Sequence, residues 1–169
     1  MNKICIIGLG LLGGSIGKEC ISKNLAKQVV GFGRKHESLK KAKQLGLVHE
    51  ISESFEDLKQ ADLIIIATPV KQYSSIFKKI NPYLSTTTLI TDVGSTKKNV
   101  IKDASHLLMN TIKNLLVLTL SPVQKNMDLM RHNLGFLKIK ISSSHHMKKI
   151  PMKISILLLI FGIHWKAFH

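Results

Sequence analysis

Cysteine is scarce in this chain: Cys5 and Cys20 are the two in 169 residues, with no Cys-x-x-Cys pair and no histidine at ligand spacing from either. That argues against a disulfide framework or a thiolate metal centre and leaves two free thiols in apolar surroundings, where burial is expected. Nothing approaches the ~20 apolar residues needed to span a bilayer; the apolar run at 154–163 is ten residues long. Met1 leads at once into a strand-like run and then glycines, without the basic region and long apolar stretch of a secretory signal, so a cytoplasmic location is expected. Acidic residues are nearly missing from the last third, where residues 115–169 carry 8 Lys or Arg against the single acid Asp128. Residues 1–114 carry 17 against 9, so the formal net charge of +15 divides into +8 and +7. A total of that size raises nucleic acid or an anionic membrane surface as partners, but its uneven distribution matters more than its sum.

What is present is an alternation of short strands and helices. Residues 3–7 are almost continuously apolar, as in a strand covered on both faces of a parallel sheet. Glycines follow, then Leu12, Ile16 and Cys20 at helical spacing up to about Lys23, then a second strand over 28–32. The spacing predicts a helix over 37–45 stopped by Gly46, and a strand over 63–67 closed by Thr68-Pro69. Tyr73, Ile76, Phe77 and Ile80 form one face of a helix ending before Pro82, and residues 88–92 read as a further strand. Val100, Ala104, Leu107 and Leu108 mark a helix entered through Gly94-Ser95-Thr96. At this length one α/β unit is the expectation: a Rossmann-type doubly wound parallel sheet over residues 1–114, binding its ligands at the carboxyl ends of the strands, followed by an irregular basic tail over 115–169.

Gly8-Leu9-Gly10-Leu11-Leu12-Gly13 fits Gly-x-Gly-x-x-Gly and joins a buried strand to a helix inside a βαβ unit, the context that gives this pattern its meaning. Gly8 permits the tight turn, Gly10 lets backbone approach a diphosphate, and Gly13 lets helix and strand pack closely. Free amides at the helix start, among them those of Leu11 and Leu12, would face the phosphates. The second strand runs into Gly33-Arg34-Lys35, where an NAD site usually offers an acid to the ribose 2′-hydroxyl. No acid stands at this strand end. Arg34 and Lys35 lean the reading toward NADP, with a solvated basic turn as the alternative. Thr68-Pro69-Val70 ends the fourth strand and Asp92-Val93-Gly94-Ser95-Thr96-Lys97 the fifth, so both loops would border the nicotinamide half of the cofactor.

In these segments the chain resembles the prephenate dehydrogenase family, including its arogenate-using relatives, over residues 1 to about 114. The likeness is carried by Gly8 to Ser15, by Thr68-Pro69-Val70 and by the Asp-x-Gly-Ser-x-Lys segment from Asp92 to Lys97. The resemblance implies oxidative decarboxylation of prephenate to 4-hydroxyphenylpyruvate in tyrosine biosynthesis, with hydride passing to NAD or NADP. It implies a small-molecule substrate (prephenate or arogenate), a homodimer in the intact family, and no nucleic-acid or membrane partner. It matches Ser95 to the serine beside the substrate hydroxyl and nicotinamide; the same serine also suits the N-cap of the helix beginning at Thr96. Asp92 is expected to organise its loop.

The likeness breaks after that helix. The family continues with His-Pro-Ile-Ala-Gly-Thr-Glu or a close variant, whose histidine takes the substrate proton, a task matched to its ordinary pKa. This chain reads Leu118-Thr119-Leu120-Ser121-Pro122-Val123-Gln124-Lys125. If each codon is rebuilt from the third base of one residue and the first two of the next, residues 118–131 admit His-Pro-Ile-Ala-Gly-Thr-Glu-Lys-His-Gly-Pro-Asp-Ala. In that frame residues 135–146 admit Phe-Phe-Glu-Asn-Lys-Asn-Ile-Ile-Ile-Thr-Pro, which is similar to the family's next strand. The glycine from Met127-Asp128 is forced, because methionine has one codon. A one-base deletion near residues 114–118, in the gene or in the sequence read from it, is therefore expected, with the tail out of frame and the family's helical dimerisation domain missing. Such a chain would hold cofactor without turning over substrate.

The competing reading of the tail is a genuine basic module. Residues 134–141 read as a strand, and the tail helix lacks a clean polar and apolar split for a membrane surface. His145-His146 has no second ligand pair, so no metal site is expected. Trp165 and scattered lysines match no nucleic-acid motif. A different Rossmann dehydrogenase, or a non-catalytic nucleotide- or nucleic-acid-binding protein, remain the rival functions.

Overall fold

The computed structural model describes residues 1–93 together with two later strands. Five strands and three helices make up the first part: β1 (Lys3–Ile7), α1 (Leu11–Ser22), β2 (Gln28–Phe32), α2 (His36–Gln44), β3 (Glu50–Ser52), β4 (Leu63–Ile66), α3 (Tyr73–Ile80) and β5 (Leu89–Asp92). Short 3-10 turns fill Phe55–Leu58, Val70–Gln72 and Asn81–Tyr83. The later strands β6 (Leu116–Leu120) and β7 (Leu137–Ile141) pair antiparallel with each other. The predicted helix through Val100 and Leu108 lies outside the described residues.

β1 to β5 form one parallel sheet in the order β3-β2-β1-β4-β5. Each strand is short, apolar and rich in β-branched residues, as a sheet buried on both faces requires. The side chains alternate between two layers. Ile4, Ile6, Val29, Leu63, Ile65 and Leu89 join Ile16 and Cys20 of α1 on one face. Cys5, Ile7, Val30, Ile64, Ile66 and Ile90 join Tyr73, Ile76, Phe77 and Ile80 of α3 on the other. That period of two, carried across four adjacent strands, fixes the register, because a one-residue slip would exchange the layers.

Within the parallel sheet the predicted strands hold with ends shifted by at most a residue, whereas the strand read over 134–141 is the shorter β7 and β6 was not located from the sequence; the helix predicted over 37–45 spans His36–Gln44. The third strand, not located from the sequence, is the three-residue β3. His49 holds the chain just before it, accepting the Val29 N–H on Nδ1 at 3.0 Å while its own N–H donates to the Val29 carbonyl at 2.9 Å. Leu12, expected in the apolar stripe of α1, is exposed; the buried face there consists of Gly13, Gly14, Ile16, Gly17 and Cys20. Burial pushes the Cys5 and Cys20 thiols up to about 12, because the interior disfavours the thiolate.

Candidate nucleotide-binding site

The strand order reverses direction at β1: the chain builds outward through β2 and β3, then crosses back to place β4 on the other side of β1. Loops leaving the carboxyl ends of β1 and β4 therefore diverge to opposite faces and open a crevice between them, where open parallel sheets bind ligands. The glycine loop leaves β1 at that point and Ala67-Thr68-Pro69-Val70 leaves β4.

Close packing accounts for two of the three glycines. Gly8 has φ +98, a backbone conformation that side chains resist, and a Cβ there would come within 2.7 Å of Thr68 Cγ2 and 2.9 Å of the Ala67 carbonyl oxygen. Its N–H donates to the Phe32 carbonyl at 2.8 Å, tying the loop to the end of β2. A Cβ on Gly13 would collide with the Gly8 carbonyl oxygen and sit 3.1 Å from Ala67 Cβ, so α1 can approach the β1 and β4 ends only without one. Gly10 differs: a Cβ there meets nothing within 4 Å. Protein packing does not require this glycine, and the space beside it is open.

Gly10 is also the N-cap of α1, and no side chain caps that helix or places an acid in its first turn. Leu11 is 91% exposed. The start of α1 thus presents backbone amides and the positive end of the helix dipole to an open cradle, the arrangement that receives a phosphate. Thr68 carries a buried Oγ1 without a hydrogen-bond partner, on the wall that Gly8 touches.

The remaining predicted residues divide between rim and wall. Arg34 and Lys35 are exposed at the end of β2, with Lys35 as N-cap of α2. Pro69 is exposed and precedes the 3-10 turn begun by Val70, which packs partly against the α3-side core. Asp92 is 4% exposed at the end of β5, and Tyr73 Oη donates toward its Oδ2 at 3.3 Å and toward the Ile66 carbonyl at 3.4 Å. Ser95 lies outside the described residues, as does the rest of its segment from Gly94 to Lys97. Two contributors escaped the sequence reading. Tyr73 was legible as core but not as a hydroxyl partner of Asp92. Glu53, just after β3, pairs with His36 Nδ1 at 2.6 Å beside the end of β2; locating β3 would have exposed it, since Phe32 pairs with Ser52.

Among the described residues, no three His, Cys, Asp or Glu gather as metal ligands, and no helix is long and apolar enough to cross a membrane.

A doubly wound sheet with a glycine loop feeding an uncapped helix at its switch point defines a nucleotide-binding Rossmann domain. The model of the prephenate dehydrogenase nucleotide-binding domain matches residues 16–115, more than half of the chain, and the chain belongs to that family. Prephenate dehydrogenase of Bacillus subtilis is 36% identical over 109 residues, covering 63% of this chain and 29% of that protein. The Lactococcus lactis enzyme of the same name is 34% identical over 113 residues, covering 66% and 31%. The chain thus spans about a third of the length of the curated relatives it matches. In fold it is similar to the crystal structure of prephenate dehydrogenase from Aquifex aeolicus in complex with hydroxyphenyl propionate and NAD+, at TM-score 0.78 and 22% identity, covering 95% of this chain and 57% of that one.

Proposed function

We propose that this chain is the dinucleotide-binding part of a prephenate dehydrogenase-type oxidoreductase. The activity of the intact enzyme would be the NAD(P)-dependent oxidative decarboxylation of prephenate, or the corresponding oxidation of arogenate. The observation that carries the reading is the open space at Gly10, facing the uncapped start of α1. Packing does not ask for glycine there; a diphosphate does.

In this reading Gly8 and Gly13 set the loop, and Gly10 with the amides of Leu11 and Leu12 receives the diphosphate. Arg34 and Lys35 hold the adenosine ribose end, where their charge favours the 2′-phosphate of NADP. Thr68, Pro69 and Val70 form one wall of the nicotinamide half and Asp92 braces the other. Ser95 stands by the substrate hydroxyl. In the intact enzyme a nicotinamide held by these residues would supply the hydride acceptor for the substrate's carbinol carbon. The relative solved with NAD+ supports a nicotinamide dinucleotide as the ligand class.

Residues 1–114 form the nucleotide-binding domain and 115–169 the out-of-frame tail. Leu118 stands where the family pattern has its proton-accepting histidine, so dinucleotide binding and turnover separate: the chain binds cofactor and leaves prephenate unchanged. Titration calorimetry of the full chain with NAD and with NADP tests the reading; saturable binding of at least one is expected, and heat-silent titrations with both would overturn it. Sequencing the gene across the codons for residues 110–125 tests the shifted frame, and an unbroken frame matching this sequence would refute it.

A further inference from the structure

Arg34, Lys35, His36 and Glu53 meet at one corner of the sheet. β2 and β3 run parallel with Phe32 opposite Ser52, so Gly33 and Glu53 are the first residues off each strand at the same end. The Ser52 hydroxyl lies 2.6 Å from Asp57 Oδ2 and accepts the Ser54 N–H at 3.1 Å, which braces the turn that carries Glu53. Phe55 stacks on Phe32 at 6.1 Å between ring centroids, clamping that turn onto β2. From there Glu53 reaches over the strand end to His36, the first residue of α2, with Oε1 2.6 Å from Nδ1. Arg34 makes no ion pair among the described residues.

We propose that Glu53, anchored by His36, is the acid of the adenosine-ribose subsite, supplied by β3 in place of the one missing from β2, and that it opposes Arg34 so that the chain accepts both NAD and NADP. The inference rests on the dinucleotide reading and deepens it. Glu53 Oε1 is occupied by His36, which leaves the other carboxylate oxygen to accept from a ribose hydroxyl. A 2′-phosphate brings two negative charges toward the same carboxylate and is repelled, while Arg34 and Lys35 attract it. Neither preference is then absolute. Glu37, in the first turn of α2, is the neighbouring acid and serves as the control.

The test compares adenosine 5′-monophosphate with adenosine 2′,5′-bisphosphate, which differ at the 2′ position alone, and then NAD with NADP, by calorimetry on the full chain. Glu53→Gln should raise the preference for the 2′-phosphorylated ligand about tenfold, and Arg34→Ala should lower it by a similar factor. Glu37→Gln should leave it unmoved. Since these side chains are exposed, all three variants should keep the wild-type melting profile, and Glu53→Asp, which retains the charge, should move the preference less than Glu53→Gln. If both dinucleotides bind and Glu53→Gln leaves the ratio within twofold, this proposal fails and the dinucleotide reading stands. If wild type binds neither, that reading fails and takes this proposal with it.

Discussion

Tyr73 and Asp92 join two strand ends through one buried hydroxyl. Tyr73 is 1% exposed on α3, and its Oη lies 3.3 Å from the carboxylate of Asp92 at the end of β5 and 3.4 Å from the carbonyl of Ile66 at the end of β4. Asp92 is itself buried, so losing a donor there costs more than the same loss at the surface. Tyr73→Phe keeps the ring and its edge-on contact with Phe77 and removes the hydroxyl alone. It should lower unfolding stability by about 1 to 2 kcal/mol, read as a lower urea midpoint at unchanged slope.

Gly10 and Gly13 should separate binding from folding. A methyl at Gly13 meets the Gly8 carbonyl and Ala67, so Gly13→Ala should cost about 2 kcal/mol of stability and displace the loop. A methyl at Gly10 meets no protein atom within 4 Å. Gly10→Ala should therefore melt within a few degrees of wild type while dinucleotide affinity falls by about tenfold or more. Paired thermal melts and calorimetry check both halves.

The two thiols give a pH signature. Cys5 and Cys20 are raised from 9.0 to about 12 in the folded chain. Below pH 9 both states keep the thiol protonated and the contribution is fully present. Between 9 and 12 the unfolded chain ionises and the folded chain does not, so stability falls as pH rises, by about 1.4 kcal/mol per pH unit for each thiol. Denaturant titrations at pH 8, 9 and 10 in wild type and Cys20→Ala should show a shallower fall in the variant above 9. A disulfide-exchange reagent at pH 8 should label neither cysteine faster than the chain opens.

Asp62 lies at the opposite end of the sheet from the glycine loop. Its Oδ2 accepts the Asn2 N–H at 2.6 Å and the Lys3 N–H at 3.2 Å, pinning the start of β1 to that of β4. Asp62→Ala should cost about 2 kcal/mol of stability and leave the dinucleotide dissociation constant unchanged in the folded protein. Unfolding and binding measured on the same preparation check it.

How much of this was legible in the sequence depended on how far each signal reached along the chain. β1, β2, β4 and β5 were readable because buried parallel strands are continuous apolar runs ended by glycine or proline, as at Ile7-Gly8 and Thr68-Pro69. α3 was readable from Tyr73, Ile76, Phe77 and Ile80, all buried. β3 was not, because Glu50-Ile51-Ser52 has one apolar residue and its strand character comes from pairing with Val30, Gly31 and Phe32. The same cause hid Glu53. The glycine loop was legible as a pattern, yet the sequence could not tell Gly10, left open, from Gly8 and Gly13, demanded by neighbours. That distinction needed Thr68 and Ala67 brought up from about 60 residues away.

The position of β1 at the middle of the sheet has a consequence during synthesis. Its two sides are completed at different times: β2 follows within about 20 residues, whereas β4 begins at Leu63. A nascent chain that has not yet released Leu63 to Ile66 carries Ile4, Cys5, Ile6 and Ile7 with one row of backbone donors and acceptors unmet, an open template for strands of other chains. A pause in translation before residue 63 is thus the interval in which this protein would be most in need of a chaperone.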